Sequence, residues 1–370
     1  MLTKSDDMLN KRKFVENGYW LYSEIAYRTP LGFAPLPPLI IWEISNKCNL
    51  RCAMCVLFGK NRIKQPKGKE LSFEEVKNII DGIKKTYSFL PFKPFIGLTG
   101  GEPFMRKDLI EILRYLKRSG FMFSVTTNFS IPDEKMIKYM INSGLMDLRV
   151  SIDGPKEVHD KIRGITVFDK IINNIRLIRK DKKGRKLPIK INCTISKYNV
   201  DTITYMVNLA DELKTDLSFQ FVEFIDDKHF NAHKKFSIAK FDAYYPTKVD
   251  KEIITEEETG KIISQLGQAK NLAKKKGVKL FFTPDIKNDN ELKRYFLDIN
   301  GYRHSEKCTF PWSAARINSY GDMFPCIDYP YGNLRNHSFS ELWNNKRARY
   351  FRKTLKKVGL FPGCIRCCKI

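Results

Sequence analysis

The sequence has no apolar run long enough to cross a membrane. Its longest apolar stretches have the length of strands, well below the roughly 20 residues that a spanning helix needs. Residues 1–10 mix Lys4, Asp6 and Asp7 with no apolar core, which argues against a secretory signal. No internal repeat or low-complexity tract is present. We therefore expect a globular protein of the cytoplasm.

Acidic residues are well outnumbered by basic ones. The chain has 41 Asp and Glu against 66 Lys and Arg, a formal net charge of +25. Basic residues concentrate in two segments, 176–190 and 346–357. They fit an anionic partner (an acidic peptide, a phosphorylated metabolite, nucleic acid or a lipid headgroup), or they are solvated helix faces. No nucleic-acid-binding module accompanies the charge, so we do not expect a nucleic-acid partner.

What the chain does contain is apolar sequence and cysteine. Its 370 residues are 42% apolar, enough for one large α/β domain with a small appendage or for two domains. The nine cysteines lie in clusters. Without an export signal, clustered cysteines indicate metal ligands in a reducing compartment rather than disulfides.

Short apolar runs alternate with helical patterns from residue 39 to about 224. The predicted strands are 39–44, 95–99, 121–126, 148–152, 189–195 and 217–224, the last of the series. The predicted helices include 76–83, 109–116, 136–141, 171–178 and 203–210, and a longer one follows at 256–275. Repeated βα units predict a parallel sheet with helices outside it and a functional site at the carboxyl ends of the strands.

Three thiols follow the first predicted strand, at Cys48, Cys52 and Cys55. Four-iron clusters normally take four cysteines, so a C-x3-C-x2-C loop leaves one iron without a protein ligand. A zinc knuckle is the alternative, although structural zinc usually has four ligands and paired C-x2-C spacing. The loop resembles the signature of the radical S-adenosylmethionine (SAM) enzymes. That resemblance implies that the open iron chelates SAM, whose reductive cleavage yields a 5′-deoxyadenosyl radical.

The same resemblance implies the fold and the domain plan. The expected core is a partial (β/α)6 TIM-like barrel, an α/β fold, with a small cysteine-rich domain at its C-terminal side. The expected boundaries are a helical lead-in at 1–38, the barrel at 39–225, a bridging region at 226–300 and the cysteine-rich domain at 301–370.

Several residues after the predicted strands match family positions that contact SAM. Thr99-Gly100-Gly101-Glu102-Pro103 resembles the segment that meets the SAM amino group. The run from Ser151-Ile152-Asp153-Gly154 to His159 and Arg163 resembles that of peptide- and protein-modifying members. Arg163 suits the SAM carboxylate, because its fork-shaped guanidinium matches that group. His159 is expected to be structural, and Cys193 to pack internally. The full set of expected cofactor contacts is Met54, Gly100, Gly101, Glu102, Asn128, Ser151, Asp153, Arg163 and Asn192.

A second cysteine set closes the chain, with Cys308 and Cys326 followed by Cys364 and Cys367 in a C-x2-C pair. It resembles the SPASM domain in its shortened twitch form, which implies one auxiliary four-iron cluster held by all four thiols. Zinc is the chemical alternative. Cys368 is left over as a packing residue, a substitute ligand or a hydrogen-atom donor.

Together these features indicate a radical SAM enzyme that abstracts a hydrogen atom and oxidises, cross-links or epimerises a peptide or protein. The alternative substrate is a small polar metabolite such as an amino sugar, aminocyclitol or nucleotide. A third hypothesis is a non-catalytic iron–sulfur or zinc scaffold that associates with RNA. The expected partners are a flavodoxin- or ferredoxin-type electron donor and a separate peptide-recognition protein.

Overall fold

The computed structural model describes residue 18 and residues 21–55, 57–58, 68–235, 247–248, 254–326 and 329–367. A helical stretch at 21–27 precedes the first strand. The strands are β1 (Leu39–Ser45), β2 (Phe95–Gly100), β3 (Phe123–Thr127), β4 (Asp147–Ser151), β5 (Ile189–Ile195), β6 (Asp216–Phe221), β7 (Phe224–Ile225), β8 (Thr247–Lys248), β9 (Leu280–Thr283), β10 (Ala314–Ile317), β11 (Asp322–Phe324) and β12 (Gly332–Asn333).

Helices lie between most of the strands. They are α1 (Phe73–Thr86), α2 (Leu109–Arg118), α3 (Glu134–Asn142), α4 (Lys156–Arg163), α5 (Phe168–Lys180), α6 (Ile203–Glu212), α7 (Asp227–Lys235), α8 (Glu256–Lys276), α9 (Asp289–Leu297), α10 (Phe310–Ser313), α11 (Phe339–Trp343) and α12 (Lys346–Val358). Within the described ranges, no helix is long and apolar enough to span a bilayer.

One large sheet organises the molecule, in the order β12-β11-β10-β1-β2-β3-β4-β5-β6-β9. Every pairing from β10 to β9 is parallel, and β11 and β12 are antiparallel additions at one end. The βα alternation places the helices against the sheet, which confirms the predicted α/β barrel-type fold. Parallel strands direct their carboxyl ends to the same edge, where the cysteine loop after β1 lies.

The prediction that the strand series ends near residue 224 is wrong. β9 lies within the predicted bridging region and pairs in parallel with β6. β9 has only four residues, and each of them is half-buried. It is therefore too short to show the long apolar run that predicts a buried strand, and the Lys-rich end of α8 precedes it. α8 packs against α6 before β9 joins the sheet.

The C-terminal cysteine-rich region is built onto the same sheet. β10 pairs with β1 from Leu39↔Ala314 to Trp42↔Ile317. Hence β1 forms backbone hydrogen bonds on both sides, with β2 and with β10. The strand that leads into the first cysteine loop is therefore also the strand that carries the C-terminal region.

The lead-in is fixed by buried side chains of that C-terminal region. The Arg352 guanidinium is fully buried and donates to the carbonyls of Gly32, Pro311 and Trp343. The Trp343 indole donates to the Pro35 carbonyl at 2.9 Å. Because the three acceptors of Arg352 are in buried hydrogen bonds, its guanidinium replaces the water that these carbonyls lose on folding.

Candidate functional site

The first cysteine loop is held between two backbone elements. On one side, Gly101 N donates to Ser45 O at 2.8 Å and Glu102 N donates to Lys47 O at 2.7 Å. On the other side, Ala53 N donates to Ile162 O, at the end of α4, at 2.8 Å. The loop is thus fixed before any cofactor binds.

The paired glycines of the β2 turn are required by this close approach. A Cβ atom at Gly100 would lie 2.4 Å from Ser45 O, and one at Gly101 would lie 2.2 Å from Lys47 O. Gly100 also has φ +130°, which L side chains rarely adopt. Both glycines line the cavity as well, so the turn shapes the loop and the cavity together.

Each sulfur of the loop accepts one hydrogen bond. Leu50 N donates to Cys48 Sγ at 3.4 Å, and Phe58 N donates to Cys55 Sγ at 3.3 Å. The Arg163 guanidinium donates to Cys52 Sγ at 3.6 Å. Burial nevertheless raises the pKa of Cys48 to about 11, so a metal must supply the rest of the stabilisation of the thiolate form.

The cysteine loop forms one wall of a cavity of about 200 Å³ that is open to solvent. The other wall comes from the carboxyl ends of β2 to β6. Seven of the nine expected cofactor residues line it: Met54, Gly100, Gly101, Asn128, Ser151, Arg163 and Asn192. Thr99, Thr126, Thr127, Thr194 and Gln220 also line the cavity. Gln220 is not among the expected residues; it lies near the carboxyl end of β6, which the structure ends at Phe221 and the sequence predicts to run to 224.

Glu102 lies beside the cavity and is not among the residues that line it. Its carboxylate is fully buried and accepts from Thr127 Oγ1 at 2.6 Å, Asn128 N at 2.7 Å and Phe104 N at 3.0 Å. Burial raises the pKa of Glu102 to about 7, against the effect of these donors. In this structure Glu102 joins the ends of β2 and β3, and its assignment to SAM stays a prediction.

Asp153 is likewise buried beside the cavity. One carboxylate oxygen accepts from Thr194 N at 2.9 Å, and the other lies 2.6 Å from Arg163 Nη2. Burial alone would lower the pKa of Arg163, but Asp153 and Cys52 outweigh it and raise that pKa further. The pair therefore holds the guanidinium, fully charged, at the cavity wall.

His159 and Cys193 are in the interior, as expected. His159 is fully buried, and its Nδ1 accepts from Asp153 N at 3.2 Å. Burial lowers the pKa of His159 to about 3, so the ring is neutral. Cys193 belongs to the core, whereas its neighbour Asn192 faces the cavity.

The second cysteine set comes from three separate segments. The pKa of Cys308 is raised to about 12, mainly by burial and to a smaller extent by the charge of the neighbouring Cys326. Cys364 and Cys367 share a turn in which Cys367 N donates to Cys364 O at 3.2 Å. No three Cys, His, Asp or Glu side chains in the described ranges converge on a single ion. Cys368 lies outside the described residues.

Arg366, inside the C-x2-C turn, fixes that turn to the rest of the molecule. It is fully buried, with φ +58°. Its guanidinium donates to Tyr295 O at 2.6 Å and to Asp298 O at 2.7 Å, at the C-terminal end of α9, and lies 4.2 Å from the Phe224 ring centroid. A cation at a helix C-terminus is favourable. Sequence reasoning missed this residue, because an Arg between two cysteines gives no sign of burial.

Comparison with known proteins gives two family matches. Residues 42–210 match the radical SAM superfamily, and residues 308–368 match SPASM, an iron–sulfur cluster-binding domain. Together the matches contain the seven cysteines of the two sets.

Individual relatives align over half to nearly all of the chain. It is 29% identical to the AdoMet-dependent heme synthase of Methanosarcina barkeri, over 89% of this chain and 87% of that one. It is 34% identical to the Fe-coproporphyrin III synthase of the same organism, over 48% of this chain and 42% of that one. Among solved structures, Streptococcus suis SuiB bound to S-adenosylmethionine has a TM-score of 0.61 at 14% identity, covering 89% of this chain and 72% of SuiB.

Proposed function

The chain is a radical SAM enzyme with a C-terminal SPASM domain, and from this premise we propose that it oxidises a carboxylate-bearing substrate at a carbon–hydrogen bond. Its cofactors are SAM, the radical SAM four-iron cluster and an auxiliary iron–sulfur cluster. When bound and reduced, these supply a 5′-deoxyadenosyl radical that takes a hydrogen atom from the substrate. The observation that carries the proposal is the presence of two cysteine sets in one chain, with β1, which precedes the first set, and β10 and β11, which lie between Cys308 and Cys326 of the second, in the same sheet.

The residues of the first site fit the proposed cofactors. Cys48, Cys52 and Cys55 each have a donor directed at sulfur, which favours the anionic form that iron binds. We assign Arg163 to the SAM carboxylate. Its pairing with Asp153 keeps the guanidinium oriented at the cavity wall, and its planar fork suits a carboxylate.

We assign the auxiliary cluster to Cys308, Cys326, Cys364 and Cys367. Four thiolates would occupy every iron, so this site suits electron transfer rather than substrate binding. Arg366 fits such a group, because a buried cation with carbonyl and ring contacts is compatible with a neighbouring anionic metal–thiolate centre. An electron acceptor within the same protein favours net oxidation, which releases one electron and one proton from the substrate radical.

An iron porphyrin or its precursor is our first substrate candidate. The relatives that align across both domains include AdoMet-dependent heme synthases, at 29% and 24% identity over 89% and 91% of the chain. Porphyrins of this kind carry carboxylates, and the net charge of +25 suits an anionic substrate.

A peptide side chain is the second candidate. The mycofactocin maturase MftC of Mycolicibacterium smegmatis is 27% identical over 47% of the chain. The run from Ser151 to Gly164 resembles that of peptide-modifying members and lies at the cavity and on α4. This candidate also calls for a separate peptide-recognition protein. The clustered cysteines favour a reducing, cytoplasmic setting for either reaction.

The proposal is tested with anaerobically reconstituted protein. Two four-iron clusters predict about eight irons per chain, and about four in a Cys48/Cys52/Cys55→Ala variant. With SAM and reductant, iron coproporphyrin III and candidate peptides are then compared by 5′-deoxyadenosine yield and by product mass. A parent with about four irons and bound zinc would refute the two-cluster oxidation. Turnover of peptide but not porphyrin would reverse the order of the two substrates.

A further inference from the structure

Four tyrosines of the described structure are fully buried, and the hydroxyl group of one of them differs from the others. Tyr87 and Tyr295 donate to backbone carbonyls at 2.7 and 2.9 Å, and Tyr302 is hydrogen-bonded to His304 Nδ1 at 3.2 Å. The hydroxyl of Tyr331, by contrast, has no hydrogen-bond partner within the described residues. A buried hydroxyl that stays unpaired costs free energy, so its presence in the SPASM region requires an explanation.

Tyr331 belongs to the connection between β11 and β12 that also carries Cys326. The two strands pair in antiparallel orientation; Cys326 follows β11 by two residues, and Tyr331 immediately precedes β12. Tyr331 N donates to Met323 O at 2.7 Å, which fixes this end of the connection to β11. Tyr331 and one of the four C-terminal thiols are thus held by the same short stretch of chain.

One buried side chain connects Tyr331 to a second cysteine segment. The guanidinium carbon of Arg352 lies 5.7 Å from the centroid of the Tyr331 ring. Arg352 Nε donates to Pro311 O at 2.8 Å, and Pro311 follows Cys308 by three residues. The Tyr331 ring is therefore linked through Arg352 to the segment that carries Cys308, in addition to sharing a connection with Cys326.

The electrostatics of these groups agree with this arrangement. Burial raises the pKa of Tyr331, Arg352 lowers it, and the charge of Cys326 raises it again. The charge of Cys326 also contributes to the raised pKa of Cys308. Because the interaction between charges weakens with distance, Cys326 lies near both Tyr331 and Cys308.

We propose that the Tyr331 hydroxyl donates a hydrogen bond to a sulfur atom of the auxiliary iron–sulfur cluster and thereby raises the reduction potential of that cluster. The inference rests on the proposed function, because it takes the four C-terminal thiols as the ligands of the cluster. A reduced cluster carries one more negative charge than an oxidised one, so a donor to sulfur stabilises the reduced form more. The hydrogen bond makes the cluster a better electron acceptor, as the proposed oxidation requires.

The test measures the reduction potential of the auxiliary cluster, independently of turnover. Full-length protein with the Cys48/Cys52/Cys55→Ala substitutions is reconstituted so that it retains only the second cluster, and its reduction is followed by electron paramagnetic resonance. Tyr331→Phe is then added to this background. The change removes an unpaired hydroxyl and keeps the ring, so we expect the variant to fold. Tyr87→Phe, which removes a paired buried hydroxyl at the end of α1, is the control.

We expect Tyr331→Phe to shift the potential downward, so that the ratio of reduced to oxidised cluster at a fixed potential falls about fivefold. The control should leave this ratio unchanged. An unshifted potential in Tyr331→Phe, or an equal shift in both variants, would overturn the role of the hydroxyl and leave the proposed function intact. Iron content separates the two claims: about four irons per chain are expected in the background protein, whereas zinc or no iron would refute the auxiliary cluster and this inference with it.

Discussion

The two cysteine sets differ in how the chain assembles them. The first lies in one eight-residue loop after β1, and two neighbouring backbone segments hold it. The second gathers thiols from residues 308 to 367. Its turn depends on one buried side chain, Arg366, that reaches α9. A local site is thus secured by backbone hydrogen bonds, whereas an assembled site relies on long side chains that connect distant segments.

The largest expected effect separates the chemistry of the two sets. Cys52→Ala should abolish 5′-deoxyadenosine formation, because the radical SAM cluster loses a ligand. Cys326→Ala should retain SAM cleavage and lose the oxidised product. Chromatographic assay of 5′-deoxyadenosine and of product measures both. Equal loss of SAM cleavage in the two variants would contradict the assignment of different chemistry to the two cysteine sets.

The next effect concerns how the C-x2-C turn is held. Arg366→Met removes the donors to one buried and one half-buried carbonyl, at 2.6 and 2.7 Å. We expect a loss of about 3 kcal/mol in the free energy of unfolding, with iron lost from the second site only. Urea denaturation and iron analysis report the two effects. Arg366→Lys should lose less stability than Arg366→Met, since it keeps the charge. A Met variant as stable as the parent would contradict the role given to the guanidinium.

At the first site, burial of Glu102 makes the free energy of unfolding depend on pH. Its pKa is about 7 in the folded state, raised from 4.5 by burial. Between these values the folded state binds more protons than the unfolded state, so the free energy of unfolding falls as pH rises from 4.5 to 7. The slope is at most about 1.4 kcal/mol per pH unit. Urea titrations across this range should show a shallower slope in Glu102→Gln, and an unchanged slope would refute the assignment.

The smallest expected effect is the loss of stability when one of two matched helix caps is removed. Ser72 and Ser338 each form a capping box, with Glu75 in the barrel and Glu341 in the SPASM region. Alanine at either position should cost about 1 kcal/mol of unfolding free energy. If the two regions unfold as one unit, both variants should shift the same single transition. Two separate transitions would indicate that the regions unfold independently.

Most of the barrel and the first site could be predicted from the sequence. The predicted strand at 189–195 has the observed bounds, because the alternation of apolar and polar residues is a local signal. The SPASM domain was identified from cysteine spacing, and the family match confirms it. Five of the seven expected cofactor residues on the cavity (Gly100, Gly101, Asn128, Ser151 and Asn192) lie at or next to the carboxyl ends of parallel strands, which meet at one edge of the sheet.

What could not be predicted depends on distant contacts. β9 is four residues long and becomes a strand only because β6 has a free edge to pair with. The buried state of Arg366 depends on carbonyls about 70 residues earlier in the chain. Glu102 has the family sequence, yet its three donors come from the β2 turn and from the end of β3, and no spacing rule shows where a carboxylate points.

The pairing of β1 with both β2 and β10 also limits how the chain could be divided. A chain ending before β10 would leave one side of β1 with unpaired backbone donors and acceptors beside the apolar residues Ile40 and Trp42. Exposed apolar edges of this kind pair with other chains and aggregate. The SPASM region thus also acts as a protective cover for the barrel's first strand, and recombinant work on the catalytic barrel requires the whole chain.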